Sequence, residues 1–513
     1  MELFDLPTEL LFLITAKLCG PGLLSLMRTN RAVYELLHHK LCIQNILNDE
    51  SSALTHAAVY GHKNLVHKLL SLNANPNTMA SPPGLGREQL RNADMIPDRR
   101  LYRYWYDEDH GTPVHYAAAG GYVDILKLSI YHGADVNCKN QLKLTPLMMA
   151  ASKGRLGRMG VLLQQEGINI GGGRNGSPLT WAAQNGHVDA AKMLLARGSD
   201  VEERDSNADP VLTAATAMEH VEVMKLLLDH GAKVNARITR KGPALHAAGR
   251  FAHYGQGKTE CQHKHGSTMQ NRRELKTCFL TQKAAESFQV LIDYGADLDA
   301  EDRTGRTQVW KSACSGCTSV LQILLEHGAS PDTCISNFND TRTPLPIAVA
   351  QWDCCVVQLL LAHGANPNCH DEYNQSALWN ALRVEMQSHN NKGFIMTEAL
   401  LKKGADPNCF VLKRCSRHRQ SFPRSLLAWA ITDGPMELIR LLLEYGADPN
   451  DSGWCNRPVL VAAILGGWFN VVKLLLYKGA DPKHPDERGR TPLLLARKKG
   501  DEDTVNLLLE YGG

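Results

Sequence analysis

Residues 112–137, TPVHYAAAGGYVDILKLSIYHGADVN, form the unit of sequence from which most of the chain is built. Thr112 is suited to accept a hydrogen bond at a helix N-terminus, and Pro113 fits the first helical position, where its missing N–H has no intrahelical partner. Gly120 breaks this helix before a second one begins, and Gly133 supplies the left-handed residue that ends the second helix. The stretch therefore predicts two short helices joined by a turn and followed by another turn.

The second of these helices has one apolar side. Val123, Leu126 and Ile130 recur at spacings of three and four residues, which places them on one face of a helix. A single pair of such short helices cannot bury this face by itself. We therefore expect the unit to stack against further copies of itself.

Copies of the unit recur along the chain at a period of about 33 residues. Each opens with a helix-starting segment and closes with a glycine, or with Asn73 in the first copy, before a turn. The twelve copies open at Ser52, Thr112, Thr145, Ser177, Asp209, Gly242, Thr307, Thr343, Ser376, Ser425, Arg457 and Thr491.

This pattern, with Thr-Pro at the first helix, paired alanines and a closing Gly-Ala-Asp-x-Asn, resembles ankyrin repeats. The resemblance extends from Ser52 to the end of the sequence and implies an all-α ankyrin-repeat solenoid. It implies about twelve helix-turn-helix repeats, joined by β-turns or hairpins, that bind proteins. The uneven spacing of the copies indicates insertions at about 79–110, 252–283, 387–394 and 409–422.

Residues 1–48 have a different pattern. Leu6, Leu10, Ile14 and Leu18 form a helical apolar stripe that begins at Pro7. The segment resembles an F-box, because the pattern Leu-Pro-x-Glu-Leu-Leu followed by Ile and Leu at helical spacing is met here. The residues that meet it are Leu6, Pro7, Glu9, Leu10, Leu11, Ile14 and Leu18.

The F-box resemblance implies that Leu6, Pro7, Leu10, Leu11 and Ile14 bind the Skp-type adaptor of a cullin-RING ubiquitin ligase. The array at 49–513 would then hold an unidentified target protein, and the chain would be a substrate receptor. The alternative is a plain ankyrin scaffold in which residues 1–48 only cap the apolar end of the first repeat.

Charge and hydropathy exclude several other classes of protein. Lys and Arg number 56 against 53 Asp and Glu, so no overall basic charge favours specific nucleic-acid binding. The longest apolar run, residues 459–469, is too short to span a bilayer. The apolar segment 10–16 follows acidic residues and does not resemble a secretory signal. We expect a cytoplasmic or nuclear protein that is neither secreted nor bound to a membrane.

The motifs that resemble catalytic or cofactor sites are incomplete. Residues 255–259, GQGKT, resemble the end of a P-loop, but Ala252 stands where the first glycine is needed. The same insertion has Cys261, His263, His265 and Cys278 at a spacing that is uncommon for structural zinc, so a polar loop is the better interpretation. We therefore predict no metal, no cofactor and no enzymatic activity.

Two insertions carry candidate partner-binding residues. The first is the aromatic group Tyr102, Tyr104, Trp105 and Tyr106, of residue types that dominate binding hot spots. These aromatic residues have the equal alternative of covering the edge of the first two repeats. The second group is Lys413, Arg414, Arg417 and Arg419, which would pair with an acidic or phosphorylated peptide. For the second group a solvated turn is the preferred interpretation.

Two positions inside the repeats are expected to serve packing. His115 is predicted to be a hydrogen-bonding strut between repeats, with Met148, Thr180 and Leu212 at the equivalent positions. Leu195, near the end of the second helix of the fourth repeat, is predicted to be buried.

Overall fold

The structure is a computed structural model that describes residues 52–79, 111–236, 242–254, 282–333, 343–371, 375–388, 392–414, 421–451 and 457–513. The chain divides into two compact units, residues 1–240 and 241–513. Helix pairs of the predicted kind fill the described part of both units. Apart from one two-stranded hairpin, the regular secondary structure of these described residues is all-α, as the sequence predicts.

The first unit contains five helix pairs in its described residues, one for each of repeats one to five. They are α1 Ser52–Val59 and α2 Lys63–Ser71, α3 Pro113–Gly120 and α4 Val123–Tyr131, α5 Pro146–Ser152 and α6 Leu156–Leu163, α7 Pro178–Gln184 and α8 Val188–Ala196, and α9 Val211–Ala217 and α10 Val221–Asp229. In this unit the first helix of each repeat packs against the first helix of the next.

The second unit contains seven pairs and one hairpin in its described residues. They are α11 Ala244–Tyr254 and α12 Gln282–Asp293, α13 Gln308–Ser315 and α14 Thr318–Glu326, α15 Pro344–Ala350 and α16 Cys354–Ala362, α17 Ala377–Ser388 and α18 Lys392–Lys402, β1 Phe410–Arg414 and β2 Ser421–Ser425, α19 Leu426–Asp433 and α20 Met436–Glu444, α21 Val459–Gly466 and α22 Phe469–Tyr477, and α23 Pro492–Lys499 and α24 Glu502–Glu510. The described residues thus contain twelve pairs, the number predicted.

Three repeats begin one residue later than the sequence predicts. Pro210 and Pro458 are N-cap residues instead of first helical residues, and α11 begins after Pro243. In the fifth repeat the reason is the preceding turn, because the N–H and C=O of Asp209 both bond to Asp205. The residue equivalent to Thr180 is therefore Thr213, and the assignment of Leu212 to that position is wrong.

The core lies between the stacked pairs, and it corrects one predicted residue. On α8 the side chains of Ala190, Ala191 and Leu194 are buried, whereas Leu195 is only half-buried. Successive residues of a helix are rotated by about 100°, which turns Leu195 away from the face that Leu194 presents to the neighbouring helices. The prediction of Leu195 as the buried residue is therefore wrong.

Two of the predicted insertions lie partly within the described residues. The helices of the ninth repeat, α17 and α18, are lengthened to 12 and 11 residues around the insertion at 387–394. The insertion at 409–422 contributes to the antiparallel pair of β1 and β2, in which Phe410 lies opposite Ser425 and Arg414 opposite Ser421. A plain turn was the sequence-based expectation for the latter segment, and the β-favouring run of Phe, Val and Leu accounts for the difference.

Candidate protein-binding face

The turns between successive repeats are here called fingers, and five of those in the described residues share one hydrogen-bonded geometry. Before α13, Oδ1 of Asp302 accepts hydrogen bonds from the backbone N–H of Thr304 at 2.7 Å and of Arg306 at 3.1 Å. An aspartate or asparagine side chain closes a finger in the same way, by accepting the N–H four residues on, at Asn140, Asp205, Asp371 and Asp486. The repeated Asx turn gives each of these fingers a fixed shape.

At five junctions of the described residues an asparagine side chain binds one repeat to the next. Oδ1 of Asn137 accepts the N–H of Asn169, and its Nδ2 donates to the carbonyl of Gly167, both at 2.8 Å. The same pair of hydrogen bonds to the following repeat is made by Asn77, Asn368, Asn408 and Asn450. At Asp299 and Asp332 only the accepting bond is made, because a carboxylate has no N–H to donate. At these junctions the neighbouring repeats are therefore held side by side.

In the first unit the fingers adjoin an apolar cluster. Buried Leu144, Met148 and Met149 pack against the partly exposed Leu142 and Trp181. The indole N–H of Trp181 donates to the carbonyl of Asn175 at 3.2 Å. This bond fixes the ring while leaving part of its surface accessible.

In the second unit a polar cluster lies between the sixth and seventh repeats. Nζ of Lys311 lies 2.6 Å from Oδ2 of Asp302 and 3.0 Å from Nδ1 of His246. Burial and then the Lys311 cation lower the pKa of His246 to about 4. Burial acts to raise the pKa of Asp302, but hydrogen bonds from Lys311 and Thr304 bring it to about 2. Lys311, Asp302 and His246 are thus paired with one another, and they connect the sixth repeat to the seventh.

A cysteine and a histidine meet at the second repeat, but not in a reactive state. Sγ of Cys138 lies 3.8 Å from Nδ1 of His115. Burial lowers the pKa of His115 to about 4 and raises the pKa of Cys138 to about 11, so the imidazole is neutral and the thiol protonated at neutral pH. The pair therefore supplies neither a thiolate nor an imidazolium at that pH.

His115 instead connects two repeats. Its Nδ1 accepts the N–H of Thr112 at 3.1 Å, and its Nε2 lies 3.0 Å from the carbonyl of Leu144 in the next repeat. Because a carbonyl can only accept, Nε2 carries the proton. The prediction that this histidine is a strut between repeats is confirmed.

Two finger residues adopt a costly backbone conformation. Two positions before the N-cap, Gly305 and Gly489 have φ of 73° and 70°, whereas Lys143 and Ala208 have φ of 60° and 63° at the same position. For a residue with a side chain, this left-handed conformation costs on the order of 1 kcal/mol of conformational free energy. The side chain of Lys143 is exposed, so no buried packing accounts for a lysine there.

We expect Lys143→Gly to raise the free energy of unfolding by up to about 1 kcal/mol, because glycine adopts this conformation without strain. The reverse change, Gly489→Lys, meets no atom within 4 Å of the added Cβ and is expected to lower it by a similar amount. Urea denaturation of both variants measures the difference. A loss of stability in Lys143→Gly would contradict the strain argument.

The predicted partner-binding residues are only partly placed by the structure. Lys413 and Arg414 lie on strand β1. Outside the described residues lie Leu6, Pro7, Leu10, Leu11 and Ile14, the aromatic residues Tyr102, Tyr104, Trp105 and Tyr106, and Arg417 and Arg419. The candidate nucleotide residues 255–259 and the candidate zinc ligands Cys261, His263, His265 and Cys278 also lie outside them.

The described residues contain neither a metal-binding cluster nor a membrane-spanning helix. No group of three or more His, Cys, Asp or Glu side chains in that part of the chain is arranged to hold a metal ion. None of the helices in the same residues is long and apolar enough to span a membrane.

Family models for ankyrin repeats match most of the chain. A three-copy model matches residues 114–205, 278–371, 347–453, 386–486 and 427–513, and a single-repeat model matches residues 210–238. No F-box model matches the chain.

Similar proteins of known name share the repeats over short stretches. A homologue of transient receptor potential cation channel subfamily A member 1 from Caenorhabditis elegans is 33% identical over 110 residues, 21% of this chain and 9% of that protein. Alpha-latrocrustotoxin-Lt1a of Latrodectus tredecimguttatus is 27% identical over 215 residues, 34% of this chain and 15% of the toxin. A probable E3 ubiquitin-protein ligase of Oryza sativa subsp. japonica is 28% identical over 143 residues, 26% of this chain and 28% of the ligase. The chain thus spans less than a third of each relative.

Proposed function

The chain belongs to the ankyrin-repeat family, and from this membership we propose that it is a protein-interaction scaffold, specifically a substrate receptor of a cullin-RING ubiquitin ligase. Its repeats at 49–513 would hold a target protein, and residues 1–48 would bind the Skp-type adaptor. The proposed place of action is the cytoplasm or the nucleus.

The observation that carries the proposal is the apolar motif near the N-terminus. Leu6, Leu10 and Ile14 follow one helical face around Pro7 and match the F-box pattern. A stripe of this size is more apolar than a solvated helix needs. Binding to an adaptor would bury it.

The array supports the other half of the proposal. Fingers of fixed shape, bound to one another by asparagine side chains, form a preorganised surface that loses little entropy when a partner binds. One of the similar proteins is named a probable E3 ubiquitin-protein ligase, which agrees with a role in ubiquitin transfer. The proposed partner contacts outside the repeats proper are the aromatic residues of the first insertion and the basic residues of the hairpin segment.

Such a receptor needs no catalytic residues of its own. By holding the target and the ligase on one chain it would raise the effective concentration of the target's lysines near the ubiquitin carrier. The neutral, buried states of His115 and Cys138 agree with this non-catalytic role.

The alternative is a plain ankyrin scaffold whose residues 1–48 cover the end of the first repeat. A terminal repeat exposes an apolar face that must be capped. In this case residues 1–48 would affect the stability of the first repeat and would not bind the adaptor.

A pull-down of the full chain with a purified Skp-type adaptor tests the proposal. We expect wild type to retain the adaptor and the double variant Leu10→Asp, Ile14→Asp to lose it, because two buried carboxylates oppose the apolar contact. Lys40→Asp is the matched control, since it changes the net charge of the same segment by the same amount and leaves the stripe intact. It should retain the adaptor.

Equal background recovery from wild type and the double variant would reject the receptor role. Hydrogen exchange of residues 52–79 then tests the alternative. Faster exchange in the double variant, without adaptor binding by wild type, would favour a cap.

A further inference from the structure

We propose that three neighbouring fingers of the first unit bind an acidic peptide segment of a partner protein that carries an apolar side chain. The fingers are residues 138–144, 170–176 and 203–209, called here fingers A, B and C. The proposal rests on the scaffold role and deepens it, because it assigns the chemistry of the partner to one surface of the array.

The tips of the three fingers are adjacent. The side-chain amide of Asn175 in finger B donates to the carbonyl of Leu142 in finger A. The backbone N–H of Gly172 in finger B donates to Oε1 of Glu203 in finger C at 2.9 Å. Side chains that project from the three tips therefore belong to one continuous surface.

The exposed charges of the fingers are positive. Lys139 and Lys143 on finger A, Arg174 on finger B and Arg204 on finger C are all exposed. The guanidinium of Arg204 has five N–H donors and donates one of them to the carbonyl of Ala208 at 2.8 Å. Its other edge can bind a ligand.

The acidic residues of the same fingers are turned inward. Asp205 and Asp209 are buried, and Oδ2 of Asp205 accepts from the side-chain amide of Gln184 at 3.2 Å. Glu203 accepts the N–H of Gly172 in the contact between fingers B and C. At the finger bases, Asp135 and Asp200 each accept the N–H two residues on. Glu203 and Asp205 are thus used within the fingers, the exposed carboxylates of Asp135 and Asp200 lie at the bases, and the cations lie on the fingers themselves, to which an anionic partner is complementary.

An apolar contact surface lies among these cations. Leu142 at the tip of finger A and the oriented ring of Trp181 are partly exposed over the buried Met149. A half-exposed tryptophan beside lysine and arginine is the composition of a binding hot spot. The surface therefore suits a peptide with one apolar side chain between acidic residues.

The strained position of Lys143 is an independent indication. At this turn position Gly305 and Gly489 avoid the strain that Lys143 accepts in finger A and Ala208 in finger C, and of these two residues only the lysine carries a charge. Backbone strain persists where the side chain serves a purpose other than stability. Lys143 lies one residue after Leu142 and presents its charge beside the apolar contact.

The test measures binding of the full chain to a labelled peptide, Glu-Asp-Glu-Leu-Phe-Glu-Asp-Glu, by fluorescence anisotropy. We expect binding to wild type that weakens as salt is raised from about 0.05 M to about 0.5 M, because exposed charges are screened. The triple variant Lys139→Gln, Lys143→Gly, Arg204→Gln should bind about ten-fold more weakly, since each exposed pair contributes a few-fold in affinity. Leu142→Ser should weaken binding of the same peptide, but should matter little for a peptide with Ser-Ser in place of Leu-Phe.

The matched control is the triple variant Lys127→Gln, Lys192→Gln, Lys225→Gln. It removes three exposed cations of the same unit from the second helices α4, α8 and α10. It is expected to change the affinity less than about two-fold. Because Lys143→Gly relieves strain, loss of binding in the finger variant would not be caused by unfolding, and urea denaturation of both triple variants checks this.

Four results would overturn the proposal. The first is that wild type does not bind the peptide, and the second is that the finger variant and the control weaken its binding equally. The third is that a peptide with Lys in place of Glu and Asp binds as tightly as the acidic peptide. The fourth is that a single-stranded oligothymidylate of the same charge binds as tightly as the acidic peptide. Residues 1–48 are not part of the proposed peptide-binding surface. A negative peptide-binding result would therefore not reject adaptor binding, and a negative pull-down would not reject peptide binding by the fingers.

Discussion

Leu194→Ala is expected to lower the free energy of unfolding of the first unit by about 2–5 kcal/mol, the range for removing a fully buried leucine side chain. Leu194 is 0% exposed on α8, which packs against α7, α6 and α10. The truncated side chain leaves a cavity among the third, fourth and fifth repeats that their short, interlocked helices cannot close.

Its neighbour provides the control. Leu195→Ala removes the same atoms one residue further on, from a half-buried position, and is expected to cost clearly less. Hydrogen exchange should show the loss in the third to fifth repeats, because repeats couple mainly to their neighbours. Equal costs for the two variants, or uniform faster exchange along 111–236, would contradict the packing described here.

Acidification from pH 6.5 to about 4 is expected to cost each unit about 3 kcal/mol through a single buried histidine. His115 in the first unit and His246 in the second both have a pKa of about 4 in the folded chain, against an ordinary value of 6.5. In this pH window the unfolded chain binds a proton at each site and the folded chain does not. Stability is therefore complete above pH 6.5 and is lost as the pH falls towards 4.

Methionine substitutions isolate this contribution. Met148 occupies the position equivalent to His115 in the next repeat, so His115→Met and His246→Met keep a side chain that the repeat accepts. Both variants lose hydrogen bonds and should be less stable at pH 7. The informative quantity is the difference in unfolding free energy between pH 7 and pH 4.5, measured in urea. An unchanged pH dependence in the double variant would show that these histidines are not the titrating groups.

The repeat architecture was predictable because its signals are local. A capping hydroxyl, a proline at the first helical position and a left-handed glycine act within a few residues, and twelve copies confirm one another. The strut role of His115 was predictable for a related reason, since other residue types occupy its position in neighbouring repeats.

The errors arose where the turn before a helix decides its start. Pro210 resembles the first helical proline of other repeats, but the two hydrogen bonds between Asp205 and Asp209 move the helix by one residue. The choice of Leu195 over Leu194 was wrong because a one-residue shift on a short amphipathic helix exchanges the buried face for the half-exposed one.

The finger surface of the first unit could not be found from net charge. The chain carries a formal charge of only +3, and finger C contains more acidic than basic residues. Only the contacts of Glu203 and Asp205 show that the acids are used within the turns. The available sequence signal was Lys143, a lysine where Gly305 and Gly489 stand at the tips of other fingers.

The asparagine links between fingers also make the array sensitive to chemical ageing. Hydrolysis of the side-chain amide of Asn137 to a carboxylate would keep the bond accepted from Asn169 but abolish the one donated to Gly167. Asp299 and Asp332 already have the side chain that this reaction produces, and at their junctions the carboxylate only accepts a backbone N–H of the next repeat. Deamidation would therefore convert a two-bond junction into a type that the fold already contains, loosening the array without breaking it.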